Sequence, residues 1–318
     1  MKKVFIDGAE GTTGLKIFER FANRNDIEII KIDSELRKDT AERKRLINMS
    51  DVTFLCLPDA AAIEAVSLVE NPDTVIIDTS TAHRTAPGWD YGFAELDDDF
   101  RNRLKKSKRI ANPGCHASGF VGLVYPLVKS GIVKKDAQLC CFSLTGYSGG
   151  GKKMIAEYTA EERDTELLSP RQYGLNQTHK HLKEMQIICG LDKAPMFSPI
   201  VADYYSGMEV TVFLYPEIMN IPAGTENVLE FVNSAYKKHY EGSSLIRVND
   251  LGVEQNTRGF YGSNNKTGFD DYEIFVNGNN DRIIVTARFD NLGKGASGAA
   301  IQNMNIVLGF DEAAGLIV

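Results

Sequence analysis

The feature that most constrains the fold is a set of spaced glycines near the amino terminus. A short apolar stretch, residues 4–6, is followed by Gly8, Gly11 and Gly14 at three-residue spacing. Apolar residues then recur every three or four positions, which predicts a helix. A strand, a glycine turn and a helix in this order bring backbone N–H groups close to one point, where they can bind a pyrophosphate.

The glycine spacing has two interpretations. It departs from the commoner G-x-G-x-x-G pattern, and a tight turn with close helix packing would use the same glycines. We favour a dinucleotide-binding turn because the glycines lie between a predicted strand and a predicted helix. Thr12 and Thr13, in the first turn of that helix, join Gly8, Gly11 and Gly14 as candidate cofactor ligands.

Strands and helices alternate through the first third of the chain. Strands are predicted at residues 4–6, 27–32, 52–57, 75–77 and 109–111, with helices at 34–45 and 60–69 among them. This alternation is typical of an α/β fold with a doubly wound parallel sheet, as in a Rossmann-like dinucleotide-binding domain.

The pattern changes after Cys115 and indicates a second, α+β domain. Its predicted strands are 139–145, 209–214 and 281–290, and its predicted helix is 228–240. The last predicted helix, 299–308, is expected to return to the first domain. We therefore expect a dinucleotide-binding domain of residues 1–116 with 295–318, a substrate and oligomerisation domain of residues 117–294, and an active site in the cleft between them.

The residues after the second predicted strand bear on the choice of dinucleotide. Asp33 occupies the place where an acidic side chain binds a ribose 2′-hydroxyl, which would favour NAD. Arg37 and Lys38 lie close by and could instead bind the 2′-phosphate of NADP. These residues leave both cofactors open.

Composition and charge exclude several classes of partner. The formal net charge of the 318 residues is −7, so the field of the protein repels nucleic acid. The basic stretch 101–109 follows the acidic stretch 95–99, which favours a solvated helix over an anion site. We see no run of about 18 apolar residues, no signal peptide and no lipidation motif, and so expect a cytoplasmic protein without a membrane partner.

One of the five cysteines is a candidate nucleophile. Their spacing predicts neither a disulfide framework nor a metal site, and four of them have apolar neighbours. Cys115 follows Asn112, a proline and a glycine, and precedes an apolar helix predicted at 120–128. A sulfur at a helix N-terminus is favoured as thiolate, and a thiolate beside a nicotinamide suits acyl-group chemistry. The alternative is a packed cysteine after a proline turn.

An acid/base is expected from the segment that contains His179, His181 and Glu184. On a helix, His181 and Glu184 would face each other at a spacing of three residues, and the carboxylate could orient the imidazole. We take His181 as the first choice of base and His179 as the second. The alternative is a pair of exposed histidines at the start of a helix.

Two further segments are candidates for binding anions. Arg84 follows the strand that ends near residue 78, at the edge where ligands of such sheets bind, and its guanidinium could hold phosphate. It could equally pair with Asp90 or Glu95. The glycine loop that contains Ser148 and Gly150 offers backbone donors for substrate or nicotinamide, and a plain flexible loop is the alternative.

The order of these motifs resembles that of the N-acetyl-γ-glutamyl-phosphate reductases. The glycine turn, the Asn112-Pro113-Gly114-Cys115-His116 segment, the His179-x-His181-x-x-Glu184 segment and the glycine-rich segment 291–298 occur in the family's order. The chain looks like the shorter type of this family, and the likeness covers nearly the whole sequence. The family is related to the aspartate-semialdehyde dehydrogenases.

The resemblance implies both an activity and roles for residues. The activity is NADPH-dependent reductive dephosphorylation of an N-acetyl-glutamyl phosphate to the semialdehyde, a step of arginine biosynthesis that releases inorganic phosphate. Cys115 would be the nucleophile and His181 the acid/base, with His179, Tyr173 and Glu184 as neighbours. Related enzymes hold phosphate with an arginine placed like Arg84. We also expect substrate contacts from Asn112, Ser148 and Tyr173, a cofactor contact from Gly150, bound NADP(H), and a homodimer or homotetramer.

Other functions would use the same residues. An aspartate-semialdehyde dehydrogenase or an aminoadipyl-phosphate homologue would differ mainly in the substrate pocket. A non-catalytic NADP-binding redox sensor would use Cys115 as an oxidisable thiol. The histidine segment argues against a sensor, because a sensor needs a resolving cysteine more than it needs an acid/base.

Overall fold

The computed structural model describes all 318 residues, which fold into two compact units. The strands are β1 (Lys2–Asp7), β2 (Ile27–Ile30), β3 (Val52–Leu55), β4 (Val75–Asp78), β5 (Asp90–Tyr91), β6 (Arg109–Ala111), β7 (Cys140–Gly146), β8 (Arg171–Gln172), β9 (Met196–Ala202), β10 (Met208–Leu214), β11 (Ile246–Val248), β12 (Tyr272–Asn279) and β13 (Arg282–Phe289). The helices are α1 (Thr12–Phe21), α2 (Thr40–Met49), α3 (Asp59–Ser67), α4 (Asp98–Leu104), α5 (Cys115–Lys129), α6 (Gly151–Thr159), α7 (His181–Cys189), α8 (Val228–His239) and α9 (Gly298–Leu308).

The first unit comprises Met1–Gly114 and Ala296–Ile317, and the second comprises Cys115–Gly295 with Val318. Helix α9 therefore packs within the first unit. The chain passes from the first unit to the second between Gly114 and Cys115. This boundary lies two residues before the one expected from the sequence, so Cys115 and His116 both belong to the second unit.

The sheet of the first unit is parallel throughout, with strand order β2-β1-β3-β4-β6-β5. From β1 the chain winds outward to β2, then returns and winds in the other direction through β3 and β4. This is the doubly wound arrangement predicted from the alternation of strands and helices. The prediction of fold class is confirmed.

The two faces of this sheet carry separate apolar cores because neighbouring side chains of a strand point to opposite faces. Ile6 and Ile77 lie in one core, which α1 and α9 complete with residues such as Ile17 and Ile301. Phe5 of the same strand as Ile6 lies in the other core, against α2 and α3. A strand covered on both faces reads as a continuous apolar run, which explains the short apolar stretches in the sequence.

The second unit contains a seven-stranded mixed sheet with order β11-β12-β13-β10-β7-β9-β8. Strand β10 runs antiparallel to both β7 and β13, whereas β7 and β9 are parallel. Helix α5 packs on β10 and β13, and α7 and α8 pack against α5. Strands combined with helices on one face match the predicted α+β domain.

Helix α5 continues through Pro126, and the structure compensates for this proline locally. Proline has no N–H to donate to the carbonyl four residues earlier, which belongs to Gly122. The buried hydroxyl of Tyr240 donates to that carbonyl at 2.6 Å. The helix therefore accommodates the proline without leaving the Gly122 carbonyl unsatisfied in the core.

The sequence analysis missed five strands, of which β9 and β12 are the longest, and placed one helix too early. Helix α2 begins at Thr40 rather than at residue 34, and the Asp39 side chain caps it by accepting from the N–H of Glu42. Strands β9 and β12 were not predicted. Pro199 within β9 suggests a break, but its C=O accepts from Tyr173 on the β8 side, so its missing N–H points away from β7 and removes no hydrogen bond to it.

The basic stretch 101–109 is only partly helical. Helix α4 ends at Leu104, and Arg109 already begins β6. The first two arginines pair with acidic groups, Arg101 with Glu312 and Arg103 with Asp90. The charges of these two arginines are therefore engaged within the first unit.

Candidate active site

The glycine turn connects β1 to α1, and packing as well as backbone conformation requires its glycines. Gly8 has φ +86°, and a Cβ there would lie 2.3 Å from the carbonyl oxygen of Cys56. A Cβ at Gly14 would lie 2.6 Å from the carbonyl oxygen of Gly8. No side chain caps the first turn of α1, which begins at Thr12. The turn thus presents a helix N-terminus with little bulk around it, a setting that suits a pyrophosphate.

A buried ion pair, which the sequence reading did not single out, supports the start of this turn. The Nε and Nη2 atoms of Arg43 lie 3.0 and 2.9 Å from Oδ2 of Asp7, the last residue of β1. Burial raises the pKa of Asp7, and the guanidinium opposes that shift. The sequence of α2 is rich in charged residues, and its pattern does not distinguish a buried charge from a solvent-exposed one. The sequence therefore carries no signal for this pair.

Asp33 and Arg37 lie in the exposed segment after β2. The strand ends at Ile30, so Asp33 lies three residues beyond it rather than at its end. Arg37 forms an ion pair with Glu10 of the glycine turn. This pair joins the segment after β2 to the turn, and both side chains stay accessible.

The segment after β4 holds Arg84 through backbone carbonyls. Its Nε donates to the carbonyl of Asn112 at 3.0 Å, and its Nη2 to the carbonyl of Thr79 at 3.1 Å. Asp90, one of the two acidic residues considered as alternative partners, pairs with Arg103.

The buried carboxylate of Asp78 organises this segment. It accepts hydrogen bonds from the N–H and the hydroxyl of Ser80, at 2.9 and 2.8 Å, and lies 2.6 Å from Nδ1 of His83. The His83 ring stacks on Trp89 with centroids 4.1 Å apart. Four contacts thus fix the backbone that leads to Arg84.

Asn112 is buried and both ends of its side chain are engaged. Its Nδ2 donates to the carbonyl of Ala296 at 3.0 Å, and its Oδ1 accepts from Asn303 at 3.2 Å. The side chain therefore ties the segment before Cys115 to the start of α9. Its direct contact with substrate stays a prediction.

Cys115 is the first residue of α5 and is half-buried. The helix start was expected at about residue 120, so the structure extends the helix to the cysteine itself. Gly295 packs against it, since a Cβ at Gly295 would lie 3.0 Å from the Cβ of Cys115. Burial raises the pKa of Cys56 to about 12 and raises the pKa of Cys141 and Cys189 as well, which keeps these three as thiols.

Three histidines and a tyrosine gather in the second unit. The ring of His116 has its centroid 5.7 Å from that of His179 and 5.5 Å from that of His181, and the latter two are 4.8 Å apart. His181 begins α7 and is buried, and Glu184 lies buried in the same first turn. The predicted spacing on one helix is therefore present, with His179 just before it.

His116 is the central member of this cluster, and the sequence reading gave it no role. Its Nδ1 lies 2.7 Å from the hydroxyl of Ser143, and its Nε2 lies 2.6 Å from the hydroxyl of Tyr173. Burial, together with the nearby His179, lowers the pKa of His116 to about 3, so the ring is neutral. Its position directly after Cys115 was the only available sequence signal.

The glycine loop after β7 has a buried start and an exposed end. The Oγ of Ser148 accepts from Asn291 at 3.0 Å, and Asn291 in turn accepts from the N–H of Gly207 at 2.8 Å. Gly150 is exposed, directly before α6. Ser148 therefore joins the loop to the segment after β13, whereas Gly150 presents open backbone.

No group of three or more His, Cys, Asp or Glu side chains in the structure could hold a metal ion. No helix combines the length and the apolar character needed to cross a bilayer.

Comparison with known proteins places these features in a family. The model of the semialdehyde dehydrogenase dimerisation domain matches residues 115–291. An N-acetyl-gamma-glutamyl-phosphate reductase from Trichormus variabilis is 42% identical over 323 residues, covering 99% of both chains. A protein of the same name from Burkholderia ambifaria is 39% identical and covers 98% of this chain and 97% of its own.

Solved structures show the same fold at low identity. An aspartate-semialdehyde dehydrogenase from Francisella tularensis has a TM-score of 0.72 at 14% identity, covering 97% of this chain and 100% of its own. The Vibrio cholerae aspartate semialdehyde dehydrogenase II, complexed with ASA, has a TM-score of 0.71 at 14% identity and covers 97% and 98%. Membership of the semialdehyde dehydrogenase family implies a nicotinamide dinucleotide cofactor. With about 40% identity to curated relatives along its whole length, the chain belongs to the N-acetyl-gamma-glutamyl-phosphate reductase family.

Proposed function

We propose that this protein reduces N-acetyl-L-glutamyl 5-phosphate to N-acetyl-L-glutamate 5-semialdehyde with NADPH, releasing inorganic phosphate, as a step of arginine biosynthesis. The observation that carries the proposal is the position of Cys115 at the start of α5, directly before His116 of the histidine cluster. The chain is also 42% identical, over 99% of its length, to an N-acetyl-gamma-glutamyl-phosphate reductase.

The first unit offers a setting for the dinucleotide. Backbone N–H groups of Thr12 and Thr13 lie in the uncapped first turn of α1, and the glycines leave room for a pyrophosphate. Accessible Arg37, with Lys38 beside it, supports a preference for the 2′-phosphate of NADP. The bound cofactor supplies a hydride.

Cys115 begins the reaction as a thiolate. Its sulfur attacks the acyl carbon, the S–C bond forms, the C–O bond to phosphate breaks, and inorganic phosphate leaves. The N–H groups in the first turn of α5 stabilise the oxyanion that develops on the acyl oxygen. The guanidinium of Arg84, held by two backbone carbonyls, binds the phosphate group.

His181 moves the protons. It accepts the thiol proton of Cys115 before the attack, which generates the thiolate, and it donates a proton to the oxygen when the thioester is reduced to a thiohemiacetal. It then takes that proton back as the C–S bond breaks to give aldehyde and thiolate. Glu184, buried in the same helical turn, orients the imidazole.

The reverse reaction tests the proposal. Purified protein is mixed with NADP⁺, inorganic phosphate and either N-acetyl-glutamate semialdehyde or aspartate semialdehyde, and NADPH absorbance is followed. We expect a phosphate-dependent signal with the acetylated substrate that Cys115→Ser abolishes, because a serine hydroxyl is not ionised near neutral pH. Cys140→Ser is the matched control, since Cys140 is also half-buried but lies on β7. A signal restricted to aspartate semialdehyde would contradict the substrate, and activity in Cys115→Ser would contradict the nucleophile.

We also propose that one face of the second sheet binds a second copy of the chain. Phe142, Met196 and Phe213 lie on adjacent strands β7, β9 and β10, on the face opposite α5, and are 41%, 66% and 42% exposed. Contiguous exposed apolar side chains of this size mark an interaction surface. The matching family model describes a dimerisation domain, which supports a homodimer as the basic assembly.

A further inference from the structure

The hydrogen atoms around His116 can be assigned by counting donors and acceptors. Ser143 Oγ, the imidazole and Tyr173 Oη together carry three polar hydrogens but form only two hydrogen bonds, at 2.7 and 2.6 Å. One hydrogen is therefore left over. Which residue keeps it depends on the tautomer of the neutral ring.

The burial of Ser143 decides between the two tautomers. If Nδ1 carries the proton, it donates to Ser143, and the Ser143 hydroxyl hydrogen is left without an acceptor. Ser143 is fully buried, and its side chain has no other hydrogen bond in the structure. If Nε2 carries the proton, Ser143 donates to Nδ1, Nε2–H donates to Tyr173, and the remaining hydrogen belongs to Tyr173. The second arrangement avoids a buried unsatisfied donor.

The hydroxyl hydrogen of Tyr173 is available for donation to a bound ligand. Tyr173 is only half-buried, and its one side-chain hydrogen bond is the one to His116. Burial raises the pKa of Tyr173, and the electrostatic interaction with Cys115 raises it further. The hydroxyl therefore stays protonated. It is a neutral donor that interacts electrostatically with the Cys115 sulfur.

We propose that His116 is a positioning residue which, as the Nε2–H tautomer, holds Tyr173 so that its hydroxyl hydrogen is donated to the acyl oxygen on Cys115. Ser143 acts through His116 by fixing that tautomer. The donation to an acyl oxygen rests on the proposed function, whereas the tautomer does not.

The tautomer is tested on the wild-type protein by ¹⁵N NMR with labelled histidine, since a protonated and a bare ring nitrogen have different chemical shifts. The His116 signals are identified by their loss in His116→Gln. We expect protonated Nε2 and bare Nδ1. Protonated Nδ1 would overturn the proposal, and this result is independent of any enzymatic activity.

The kinetic test uses a double-mutant cycle in the reverse assay. Tyr173→Phe removes the donor, and His116→Met removes the group that orients it while nearly keeping its size. We expect each to lower kcat by about 10²-fold, the usual effect of losing one oxyanion donor, with KM changed by less than about threefold. The double variant is expected to be no slower than Tyr173→Phe alone.

His116→Gln is the conservative control, because its amide can place an N–H where Nε2 was. It should retain kcat within about tenfold of the wild type. Losses that add in the double variant, or a Gln variant as slow as the Met variant, would overturn the positioning role. Thermal unfolding of each variant is measured alongside, so that a folding defect is identified directly. A wild type inactive with the acetylated substrate would contradict the proposed function and leave the NMR result standing as the test of the tautomer.

Discussion

His181 and His179 lie side by side in the second unit, and their surroundings distinguish them. His181 is buried at the start of α7, in the same turn as Glu184, whereas His179 precedes the helix and its Nδ1 accepts from the N–H of His181 at 3.2 Å. This hydrogen bond from the backbone already occupies Nδ1 of His179. This difference favours His181 as the acid/base.

Replacing His181 by Ala is expected to lower kcat by about 10²–10⁴-fold, the usual effect of losing a positioned acid/base. His179→Ala is the matched control and is expected to lower it less, because it removes a neighbour of the base rather than the base. Steady-state kinetics of both variants in the reverse assay measures the ratio. A larger loss in His179→Ala would reverse the assignment.

The neutral ring of His116 makes stability depend on pH. Burial lowers its pKa from 6.5 to about 3, so the unfolded chain binds a proton at this residue that the folded protein does not bind. Its contribution to the free energy of unfolding is therefore complete above about pH 6.5 and is lost as the pH falls towards 3. At pH 5.5 the loss is about 1.4 kcal/mol.

Urea unfolding at pH 7.5 and pH 5.5 measures this contribution. The wild type should lose about 1.4 kcal/mol more than His116→Gln between the two values, because glutamine does not titrate. Equal losses would mean that His116 is protonated in the folded protein.

Among the elements, α5 shows how a helix can carry both a nucleophile and a proline. Its first residue is Cys115, and most of its length is buried between the sheet and neighbouring helices. Pro126 leaves the Gly122 carbonyl without its helical donor, and Tyr240 of the segment after α8 replaces that donor. The helix that begins at Cys115 therefore keeps the Gly122 carbonyl paired through a residue more than a hundred positions away.

Tyr240→Phe should lower the free energy of unfolding by about 1–3 kcal/mol, since it leaves a buried carbonyl unsatisfied. Adding Pro126→Ala should recover part of the loss, because the alanine N–H can donate to Gly122. Denaturant unfolding of the two single variants and the double variant gives the coupling. Independent, additive effects would show that the hydroxyl does not substitute for the missing N–H.

At the scale of the whole molecule, the proposed dimer uses the exposed apolar face of the second sheet. Phe142 lies at its centre, flanked on β9 and β10 by Ser198 and Thr211 in register. Phe142→Asp should convert the dimer to monomer, since a buried unpaired carboxylate opposes association. Light scattering after size-exclusion chromatography measures the mass. Leu175→Asp is the control, because Leu175 is 71% exposed and lies in the loop between β8 and α7. A dimer that survives Phe142→Asp would contradict this surface.

The sequence by itself determined the features that depend on neighbouring residues. The glycine turn, the alternation of strands and helices, and the position of Cys115 at the start of a helix all follow from backbone conformation and side-chain periodicity within a few turns of chain. His181 and Glu184 could be grouped for the same reason, because helical spacing places them together, and His179 lies two positions before His181.

The tertiary structure alone decided what depends on distant residues. Asp7 meets Arg43, and His116 meets Tyr173 across 57 positions, and no local pattern marks either pair. Strand β9 was missed because its proline is tolerated only where its absent N–H points away from β7. Whether a charged or polar side chain is a solvated group or a buried partner is set by the elements packed around it, and so the protonation of His116 and the orientation of Tyr173 became readable only in the folded protein.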